Sequence, residues 1–403
     1  MNRESKLFLI SYFIVSIGTP GQFIFAIKKA DPITGSLMVA LYFITSAITS
    51  IVISTLSDKL MKRKVFALIG FSIVTLTFIA YYFVSAPFEL ILCSSLVGMG
   101  FASYNPTSNA LFSEMEPTIS SGKLMSYFFV VASAGWAVGA LLGGLVNQFF
   151  GNFVFIFTAL ITLVGLSLYL LKVSDVPYQS DESEANLNSN NHETSSNLKL
   201  YPFLIAILSI SILTRHICVQ GGFALFPNYL EEQLLADPIT ISLILTVNMT
   251  TQALIMIPVG RLVDHKKFGR KIVLLLGIIG SNLTVFLWSL IDIPWILIFP
   301  QMLIGFSWPA VATASTALVT DITTRRNRSQ GMGWFNTGLA IGGSIGPLIS
   351  ALIFAQSGGS FSLAFQILSL FPIVGIILIL ITFSENRITH QYSLIGSKKN
   401  KIS

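Results

Sequence analysis

Charge is the feature that this sequence has least of. Only 10% of its 403 residues are Asp, Glu, Lys or Arg, whereas a soluble domain carries about 25%. So few charged side chains cannot hydrate the surface of a chain of this length. The composition therefore excludes an ordinary soluble enzyme, a nucleic-acid-binding protein and a disordered chain, and it predicts that most of the surface faces something other than water.

Cysteine is also scarce. The two cysteines, Cys93 and Cys218, each lie inside an apolar run, so they cannot form a disulfide framework, and we interpret them as small buried side chains. No group of Cys and His residues has the spacing of metal ligands. The sequence therefore predicts neither a metal site nor a bound cofactor.

Long apolar runs fill most of the remaining chain. About 20 apolar residues in a helix cross a hydrocarbon core of about 30 Å, and we count twelve such runs, six on each side of a polar stretch over 174–199. This stretch is rich in Ser, Asn and acids and has too few apolar residues to fold by itself. The pattern predicts an all-α integral membrane protein with a six-helix bundle over 1–173, a linker over 174–200, a second six-helix bundle over 201–385 and a tail over 386–403.

The basic residues are distributed unevenly between the loops of these predicted spans. Of 24 Lys and Arg residues, 21 fall on the side of the termini and the linker, Lys28 and Lys29 fall on the other side, and Arg215 lies within a span. The positive-inside rule then predicts a multi-pass protein of the cell membrane with both termini in the cytoplasm. The net charge of +6 thus reflects membrane topology and does not indicate a nucleic-acid partner.

The second half of the chain repeats the first. The segment Ala30-Asp-Pro-Ile-Thr34 recurs as Ala236-Asp-Pro-Ile-Thr240, and an offset of 206 or 207 continues through loops and helices, for example from Arg63 to Arg270. Two parallel repeats related by an axis along the membrane normal place a cavity between them near the midplane.

Both copies of the loop after the second span of each half carry an acidic and basic motif. The first copy contains Asp58, Lys62 and Arg63, without the glycines that usually flank this motif, and the second contains Asp264, Gly269 and Arg270. This pair of motifs resembles the major facilitator superfamily of secondary transporters. The resemblance implies a cytoplasmic gate, in which each Arg pairs with the acid that ends the fourth span of its half, Glu114 or Asp321.

A second motif of that family lies in the fifth span of each half. The first copy has Gly135, Gly139 and Gly143, with Ala140 where the motif has Pro. The second copy has Gly342, Gly346 and Pro347. Glycines four residues apart let helix backbones approach closely, and the resemblance is to an efflux subgroup rather than to uptake carriers.

The second copy also contains Gly342-x-Ser344-x-Gly346, which has the form of a hydrolase nucleophile elbow. That motif requires a preceding strand together with an aligned His and acid. Here it lies within an apolar helical run, so we predict no catalytic residues.

Arg215 and His216 stand out because charged residues within a span are costly and are often functional. Their register mates in the first span are Leu9 and Ile10, so the feature belongs to one half only. We interpret Arg215 as a contact for an anionic substrate and His216 as a protonation site. The alternative is that Arg215 bonds to helix carbonyls or extends to the membrane surface.

Uncharged polar and aromatic residues within the spans are further candidates for substrate contacts. Asn105 and Asn109 share one helix face, and each of these residues could equally serve only in helix packing. The mid-depth of spans 1, 4 and 5 has no carboxylate, so proton coupling would use His216, the gate acids or the substrate itself. The uncharged candidates are Gln22, Tyr104, Asn105, Asn109, Trp136, Gln220, Asn248, Gln252, Trp308 and Asn336.

The resemblance implies a twelve-helix transporter that moves a small organic solute through the lipid bilayer by alternating access. It favours proton-coupled efflux by a monomer, with an uptake carrier or a facilitator as the nearest alternative. Two hypotheses from other classes are a membrane-embedded enzyme and a sensor built on a transport fold. Missing metal and protease motifs and short outer loops count against the enzyme, and the lack of a sizeable soluble domain counts against the sensor.

Overall fold

The computed structural model describes residues 3–60, 62–116, 121–175, 200–263, 269–323 and 328–383. Most of the chain in these ranges is helical, and none of it is β-strand. The first group of helices, α1 to α6, spans Arg3–Gly18, Pro32–Leu60, Arg63–Phe83, Pro87–Met115, Ser121–Phe150 and Val154–Lys172. The second group, α7 to α13, spans Leu200–Asn228, Pro238–Val263, Gly269–Trp288, Ile298–Ile322, Arg328–Gln356, Phe361–Leu368 and Phe371–Thr382.

Short irregular helices extend several of these elements. A π-helical segment, Gly21–Ala26, follows α1, and a second, Tyr229–Gln233, continues α7. The last apolar run is interrupted, because α12 ends at Leu368 and α13 begins at Phe371.

Eleven helical stretches in the described ranges are long and apolar enough to cross a membrane. One of them, Tyr127–Lys172, has 46 residues and would be about 69 Å long as a single straight helix, more than twice the hydrocarbon core. It contains most of α5 and all of α6, which are separated by a 3-10 turn that begins at Gly151 with φ +54°. Two crossings fit this stretch better than one, and the total of twelve spans stays a prediction.

Helix packing follows the same scheme in both groups. In the first group α1 packs on α5 and α6, while α2 and α3 pack on α4. In the second group α7 packs on α11 and α13, while α8 and α9 pack on α10. The groups meet where α2 contacts α11 and α7, and where α5 contacts α8. An all-helical membrane protein of the predicted class is confirmed.

The repeated Ala-Asp-Pro-Ile-Thr segment is a helix start. Asp31 Oδ1 accepts hydrogen bonds of 3.0 Å from the backbone N–H groups of Ile33 and Thr34 at the beginning of α2. Asp237 does the same for α8 and also accepts a bond of 2.6 Å from the Thr240 hydroxyl. The Thr240 hydroxyl and the helix N–H groups lower the pKa of Asp237, since they stabilise its charged form. Both aspartates are therefore N-caps.

The helix ends lie on two sides. We call the side with Arg3, Arg63 and Lys172 the terminal side. We call the side with the loops near residues 27–31, 84–86, 234–237 and 289–293 the distal side. Contacts between neighbouring ends support this division, since Lys64 Nζ donates to the carbonyl of Leu170 on the terminal side and Lys29 Nζ donates to the carbonyl of Tyr81 on the distal side.

Candidate functional site

The two groups are bonded to each other near the distal side. Lys28 Nζ lies 3.1 Å from Glu231 Oε1, and Asn228 Nδ2 donates to the carbonyl of Ala30 over 2.7 Å. We call these four residues the distal latch. The Lys28 side chain is only 7% exposed, whereas that of Glu231 is 42% exposed. The latch therefore holds a nearly buried cation between the groups.

Contacts between the groups continue to the middle of the helices. Ser350 Oγ donates to Ser36 Oγ over 3.4 Å where α11 meets α2. Thr246 Oγ1 donates to the carbonyl of Ala137 over 3.4 Å where α8 meets α5. Gly144 leaves room for Ser242 at the distal end of the same α5–α8 contact.

Farther toward the terminal side the facing helices separate. Gly260 lies 18 residues, or five helical turns, after Ser242 and so on the face of α8 that meets α5, yet a Cβ added there would meet no heavy atom within 4 Å, and the same holds at Gly333 of α11. Trp334 is 57% exposed and Asn336 is also exposed. The described part of the structure is thus closed on the distal side and open toward the terminal side.

The first copy of the acidic and basic motif forms contacts within the first group. Arg63 Nε lies 3.2 Å from Glu114 Oε1, and Arg63 Nη1 donates to the buried Ser57 Oγ over 3.2 Å. This pair joins the start of α3 to the end of α4. Lys62 precedes α3 and is exposed. The side chain of Asp58 lies outside the described residues.

The second copy repeats these contacts in the second group. Arg270 forms an ion pair with Asp321 and also donates to the carbonyl of Ala317 over 3.3 Å. Gly269 has φ +64°, a left-handed conformation that favours glycine over other residues. Asp264 lies outside the described residues. In this conformation the two described ion pairs of the motif brace each group internally and do not join one group to the other.

The motif region has a further acid that the sequence did not single out. Asp175 Oδ1 accepts a hydrogen bond of 2.7 Å from the backbone N–H of Lys64, in the first turn of α3. A carboxylate at a helix N-terminus is stabilised by the helix dipole. This contact fastens the chain beyond α6 to the start of α3, and no sequence motif indicates it because the two residues are more than 100 positions apart.

The glycines of the fifth-span motif lie where two helix backbones cross. A Cβ at Gly135 would stand 2.6 Å from the carbonyl oxygen of Phe13, and one at Gly139 would lie closer still to that of Ile17. At Gly143 it would overlap the ring of Phe25. Real Cβ atoms do not approach a backbone so closely, so α5 can pack on α1 in this way only with glycine at Gly135 and Gly139. Gly143 instead makes room for a side chain of the π-helical segment that follows α1.

The second copy of this motif packs in the same way. A Cβ at Gly342 would stand 2.6 Å from the carbonyl oxygen of Leu213, and one at Gly346 would stand 2.5 Å from that of Ile217. Pro347 follows within α11, and its carbonyl accepts a bond of 2.8 Å from Ser350 Oγ. Glycine spacing thus explains the close α11–α7 crossing, as it does for α5 and α1.

These glycine contacts correct the register of the first span of each repeat. Gly135 faces Phe13 and Ser16, whereas its repeat mate Gly342 faces Leu213 and His216. His216 is therefore the structural counterpart of Ser16, and Arg215 that of Val15; the sequence offset had predicted Leu9 and Ile10. The reason is that the chain between this crossing and the Ala-Asp-Pro-Ile-Thr segment is six residues longer in the second repeat, so the offset falls from 206 to 200 within the span.

Arg215 is buried inside the second group. It is 2% exposed, its Nε donates to Ser281 Oγ over 3.0 Å, and its Cζ lies 5.3 Å from the ring centroid of Trp308. The ring of His216 meets the same Trp308 edge-on, with centroids 5.7 Å apart. The described partners of the guanidinium are thus a neutral hydroxyl and an aromatic ring, and its charge is not balanced by a described acid.

Gln22 belongs to a closed network in the first group. Its Nε2 donates to Ser94 Oγ over 2.7 Å, its Oε1 accepts from Tyr81 over 2.8 Å, and Ser94 donates to the carbonyl of Met38. The cavity beside Gln22 and Tyr104 measures about 10 Å³, room for about one water. In this conformation Gln22 therefore joins helices and does not face a space that could hold a solute.

Asn105 and Asn109 contact each other on one face of α4, with 3.0 Å between Asn109 Nδ2 and Asn105 Oδ1. Tyr12 of α1 donates to the same Asn105 oxygen over 3.4 Å. Asn109 Oδ1 is buried and has no hydrogen-bond partner among the described residues. This pair retains an unused acceptor that could bind a ligand.

Other candidates are scattered. On α8, Gln252 Nε2 donates to Asn248 Oδ1 over 3.2 Å, and both residues are buried. Gln220 is half-buried on α7, and Asn336 is exposed on α11. In the described contacts the Asn105 pair of the first group does not touch Arg215 or Asn248 of the second group, so the candidates form separate clusters.

The sequence model of the Major Facilitator Superfamily matches residues 7–219 and again residues 208–398. These two matches cover nearly all of the chain and coincide with its two repeats. The chain belongs to the Major Facilitator Superfamily. It is therefore a membrane transporter, and the resemblance that its motifs indicated is confirmed.

Individual proteins of this family are similar along most of the chain. A proton-coupled antiporter flippase, LtaA, from Staphylococcus haemolyticus is 22% identical over 89% of each chain. A multi-drug resistance efflux pump PmrA homolog from Lactococcus lactis is 25% identical over 80% of this chain and 78% of the relative. The crystal structure of nucleoside transporter NupG matches with a TM-score of 0.74 at 13% identity over 95% of this chain and all of that one, which supports the fold.

Family membership also decides how the Gly342-x-Ser344-x-Gly346 segment is interpreted. In this Major Facilitator Superfamily chain, Ser344 lies within α11 and its hydroxyl donates to the carbonyl of Ala340 over 2.8 Å. A serine bonded to its own helix lacks the strand-to-helix turn of a nucleophile elbow. The segment is part of the helix crossing, and the family points to a transporter rather than an enzyme.

Proposed function

We propose that this transporter exports a small organic solute by alternating access and that inward proton movement drives the export. The observation that carries the proposal is the arrangement of contacts between the two groups, which are bonded on the distal side and separate toward the terminal side. With the terminal side in the cytoplasm, this is an inward-facing state ready to receive a solute from the cell. Two similar proteins are named as an antiporter and an efflux pump, which supports the direction.

Transport by purified protein tests this proposal. Proteoliposomes with an imposed pH gradient would be loaded with three fluorescent amphiphiles that differ only in charge: cationic, neutral and anionic. We expect one of them to move against its own gradient when protons flow the other way, and to stop when the pH gradient is collapsed. Movement that ignores the pH gradient would favour the uptake carrier or facilitator.

A second candidate function is transfer of an amphiphilic lipid-linked solute between leaflets. It is favoured by the similarity to the LtaA flippase, which extends over 89% of both chains. The same proteoliposomes with a fluorescent lipid distinguish it, because dithionite quenches only label that has reached the outer leaflet. If the protein speeds quenching relative to protein-free liposomes but moves none of the three soluble amphiphiles faster than they do, the second function replaces the first.

We propose that the bundles and linker have the bounds predicted from sequence and that the transporter acts as a monomer. We also propose that the terminal side is cytoplasmic, and cysteine labelling tests this orientation. A cysteine introduced at Ser189, within the predicted linker, should resist an impermeant thiol reagent in intact cells and react after permeabilisation. Cys93 and Cys218 are buried, so background labelling should be low. A cysteine at the exposed distal position Ser85 is the control and should react in intact cells. Rapid labelling at position 189 from outside would reverse the orientation.

We propose that Asp58, Lys62, Arg63 and Glu114, with Asp264, Gly269, Arg270 and Asp321, form a gate on the terminal side. Asp58→Asn should lower the transport rate several-fold without loss of folded protein, because the gate would lose one charge that favours the closed arrangement. Glu4→Gln removes an exposed acid on the same side and should leave the rate unchanged. Equal rates in both variants would place the gate elsewhere.

We propose that Arg215 contacts the acidic group of the substrate and that His216 carries a proton in the cycle. A guanidinium can bind a carboxylate or phosphate through two parallel hydrogen bonds, which Lys cannot reproduce. Arg215→Lys should therefore remain folded but bind the anionic amphiphile about tenfold more weakly, the loss expected for one charge-assisted bond. Arg215→Gln should remove the preference for the anion altogether.

The control for Arg215 is its described partner. Ser281→Ala removes the 3.0 Å bond to Arg215 Nε but keeps the charge, so it should retain the preference for the anion. If Arg215→Lys and Ser281→Ala lose thermal stability equally and both transport normally, Arg215 serves only the packing of the second group. The charge series is measured in the same proteoliposomes, so this outcome is separable from a failure of transport itself.

A further inference from the structure

The guanidinium of Arg215 keeps hydrogen-bond donors that its described neighbours do not use. A guanidinium donates from Nε and from both terminal nitrogens, and Nε donates to Ser281 Oγ over 3.0 Å. Within the described ranges Nη1 and Nη2 have no acceptor, yet neither is among the unbonded polar atoms that are fully enclosed. The exposed 2% of the side chain therefore includes these terminal nitrogens, which border an open space.

Trp308 of α10 lies beside this exposed end. Its ring centroid is 5.3 Å from Arg215 Cζ, and the ring of His216 contacts it edge-on with centroids 5.7 Å apart. Trp308 is itself only half-buried, so part of its indole is left uncovered by these neighbours. The terminal nitrogens of the cation and the uncovered indole are thus close enough to contact one small molecule.

The uncovered part of Trp308 faces the interior of the transporter. Phe299, which is 71% exposed, marks the lipid-facing side of α10. Trp308 follows it by nine residues, or about two and a half helical turns, and so lies on the opposite side of the helix. Since Trp308 contacts α7 from this side, its indole borders the space inside the protein and not the hydrocarbon chains of the membrane.

This position is near the middle of α10, on the open side of the contacts between the two groups. Trp308 lies about 15 Å along α10 from its distal start at Ile298. About one turn before it, Gly305 packs on the backbone of Asn248 in α8, whereas Thr246, which bonds to α5, lies to the distal side of Asn248. A solute that enters from the terminal side therefore reaches Trp308 before it reaches the closed contacts.

The first group has different residues at the equivalent place. There Val15 is the counterpart of Arg215, and the offset of 207 makes Phe101 the mate of Trp308. The ring of Phe101 packs edge-on against Tyr104, with centroids 5.1 Å apart. The cation with an indole beside it is therefore a specific feature of the second group and not a general consequence of the fold.

Building on the proposed role of Arg215 as the contact for an acidic substrate, we infer that the substrate is an aromatic carboxylic acid whose ring packs on Trp308. Its carboxylate accepts hydrogen bonds from Nη1 and Nη2 of Arg215 and supplies the counter-charge that the described residues do not. A ring bonded directly to that carboxylate reaches the indole, because the guanidinium and the indole are 5.3 Å apart. Trp308 is thus a specificity-determining residue, since paired aromatic rings attract each other beyond simple apolar contact.

Binding of two matched acids to the purified transporter tests this substrate class. The acids are 2-naphthoate and its saturated counterpart decahydro-2-naphthoate, which have the same charge and the same carbon skeleton. We expect calorimetry to show that naphthoate binds about 2- to 12-fold more tightly, the range expected for one aromatic pair. The saturated acid is the more apolar of the two, so a merely apolar pocket would not favour naphthoate.

Variants of Trp308 separate a contact with the substrate from a structural role. Trp308→Leu should remove the preference for naphthoate, whereas Trp308→Phe, which keeps a ring, should retain it. Phe101→Leu alters the mate in the first group and should leave the preference unchanged. A monodisperse elution profile confirms that each variant is folded, and Trp308→Ile replaces Trp308→Leu if the latter does not fold.

Arg215→Gln should weaken both acids at least about tenfold and leave the binding of uncharged 2-naphthamide unchanged. Equal affinity of the two acids for the unmodified protein, an unchanged preference in Trp308→Leu, or no measurable binding of either acid would overturn the inference. Loss of both acids in Arg215→Gln without any preference for the ring would overturn only the role of Trp308. Acid binding that survives Arg215→Gln would overturn the proposed substrate contact at Arg215 as well.

Discussion

Gly139→Ala is expected to destabilise the folded transporter by about 1–3 kcal/mol, the usual cost of overfilling a packed interface. The added methyl group would overlap the backbone carbonyl of Ile17, and neither helix backbone can move aside without separating α5 from α1. Gly139→Leu should leave no monodisperse protein. Thermal unfolding followed by size-exclusion chromatography in detergent measures both effects.

The matched control is Gly333, a glycine of α11 at which an added Cβ meets nothing within 4 Å. Gly333→Ala should be neutral or slightly stabilising, because alanine is favoured over glycine within a helix by about 0.5–1 kcal/mol. Equal stability of Gly139→Ala and Gly333→Ala would mean that the α5–α1 crossing is looser than the structure indicates.

Glu231→Gln should open the distal side. The substitution leaves Lys28, whose side chain is 7% exposed, without its described counter-charge in the closed arrangement. Loss of one partner costs up to about 1 kcal/mol in an exposed ion pair and about 3–5 kcal/mol in a buried one, so this partly buried pair should shift the equilibrium by about 1–3 kcal/mol, or about 5- to 150-fold. A cysteine introduced at Ser36, which is buried beside Ser350 in the closed state, should react faster with an impermeant reagent from the distal side by a factor in this range.

Two controls separate the latch from a general loss of charge. Asp292→Asn removes an exposed acid on the same side and should not change the labelling rate of the cysteine introduced at position 36. The exchange of charges, Lys28→Glu with Glu231→Lys, should restore slow labelling if the attraction between the two residues is what matters. Fast labelling in the exchanged variant would show that the local packing, not the ion pair, holds the distal side closed.

The general architecture could be predicted from sequence because the membrane imposes it locally. Every span must be apolar and helical by itself. The low charge content therefore indicates the class, and the apolar runs indicate most helix positions. Arg63 with Glu114 and Arg270 with Asp321 could also be selected as pairs, because the family that the motifs resemble pairs this Arg with the acid that ends the fourth span, and both halves supply such an acid. The glycine motif likewise indicated close helix crossings, which Gly135 and Gly342 make.

Contacts between distant residues could not be predicted in this way. Lys28 and Glu231 are not repeat mates, and no motif contains either of them, so the distal latch had no signal in the sequence. The predicted counterpart of Arg215 in the first repeat was wrong by six residues. The sequence does not show where six extra residues enter the second repeat, and only the helix that crosses the span identifies residues at the same depth. Gln22, selected as a polar residue in a span, lies in a closed network because Ser94 and Tyr81 satisfy it from other helices.

The sequence by itself determined that this protein lies in a membrane, that it is helical, that it is built of two repeats and which family it belongs to. Each of these features depends on composition or on short motifs that lie within one span or loop. Only the tertiary structure decided which side is closed and where Arg215 lies. Those features arise from side chains of different helices that meet: Lys28 meets Glu231 across the two groups, and Ser281 and Trp308 reach Arg215 from two other helices. The physical reason is that hydrogen bonds and close packing act over a few ångströms in space, whereas the residues that make them lie tens to hundreds of positions apart along the chain.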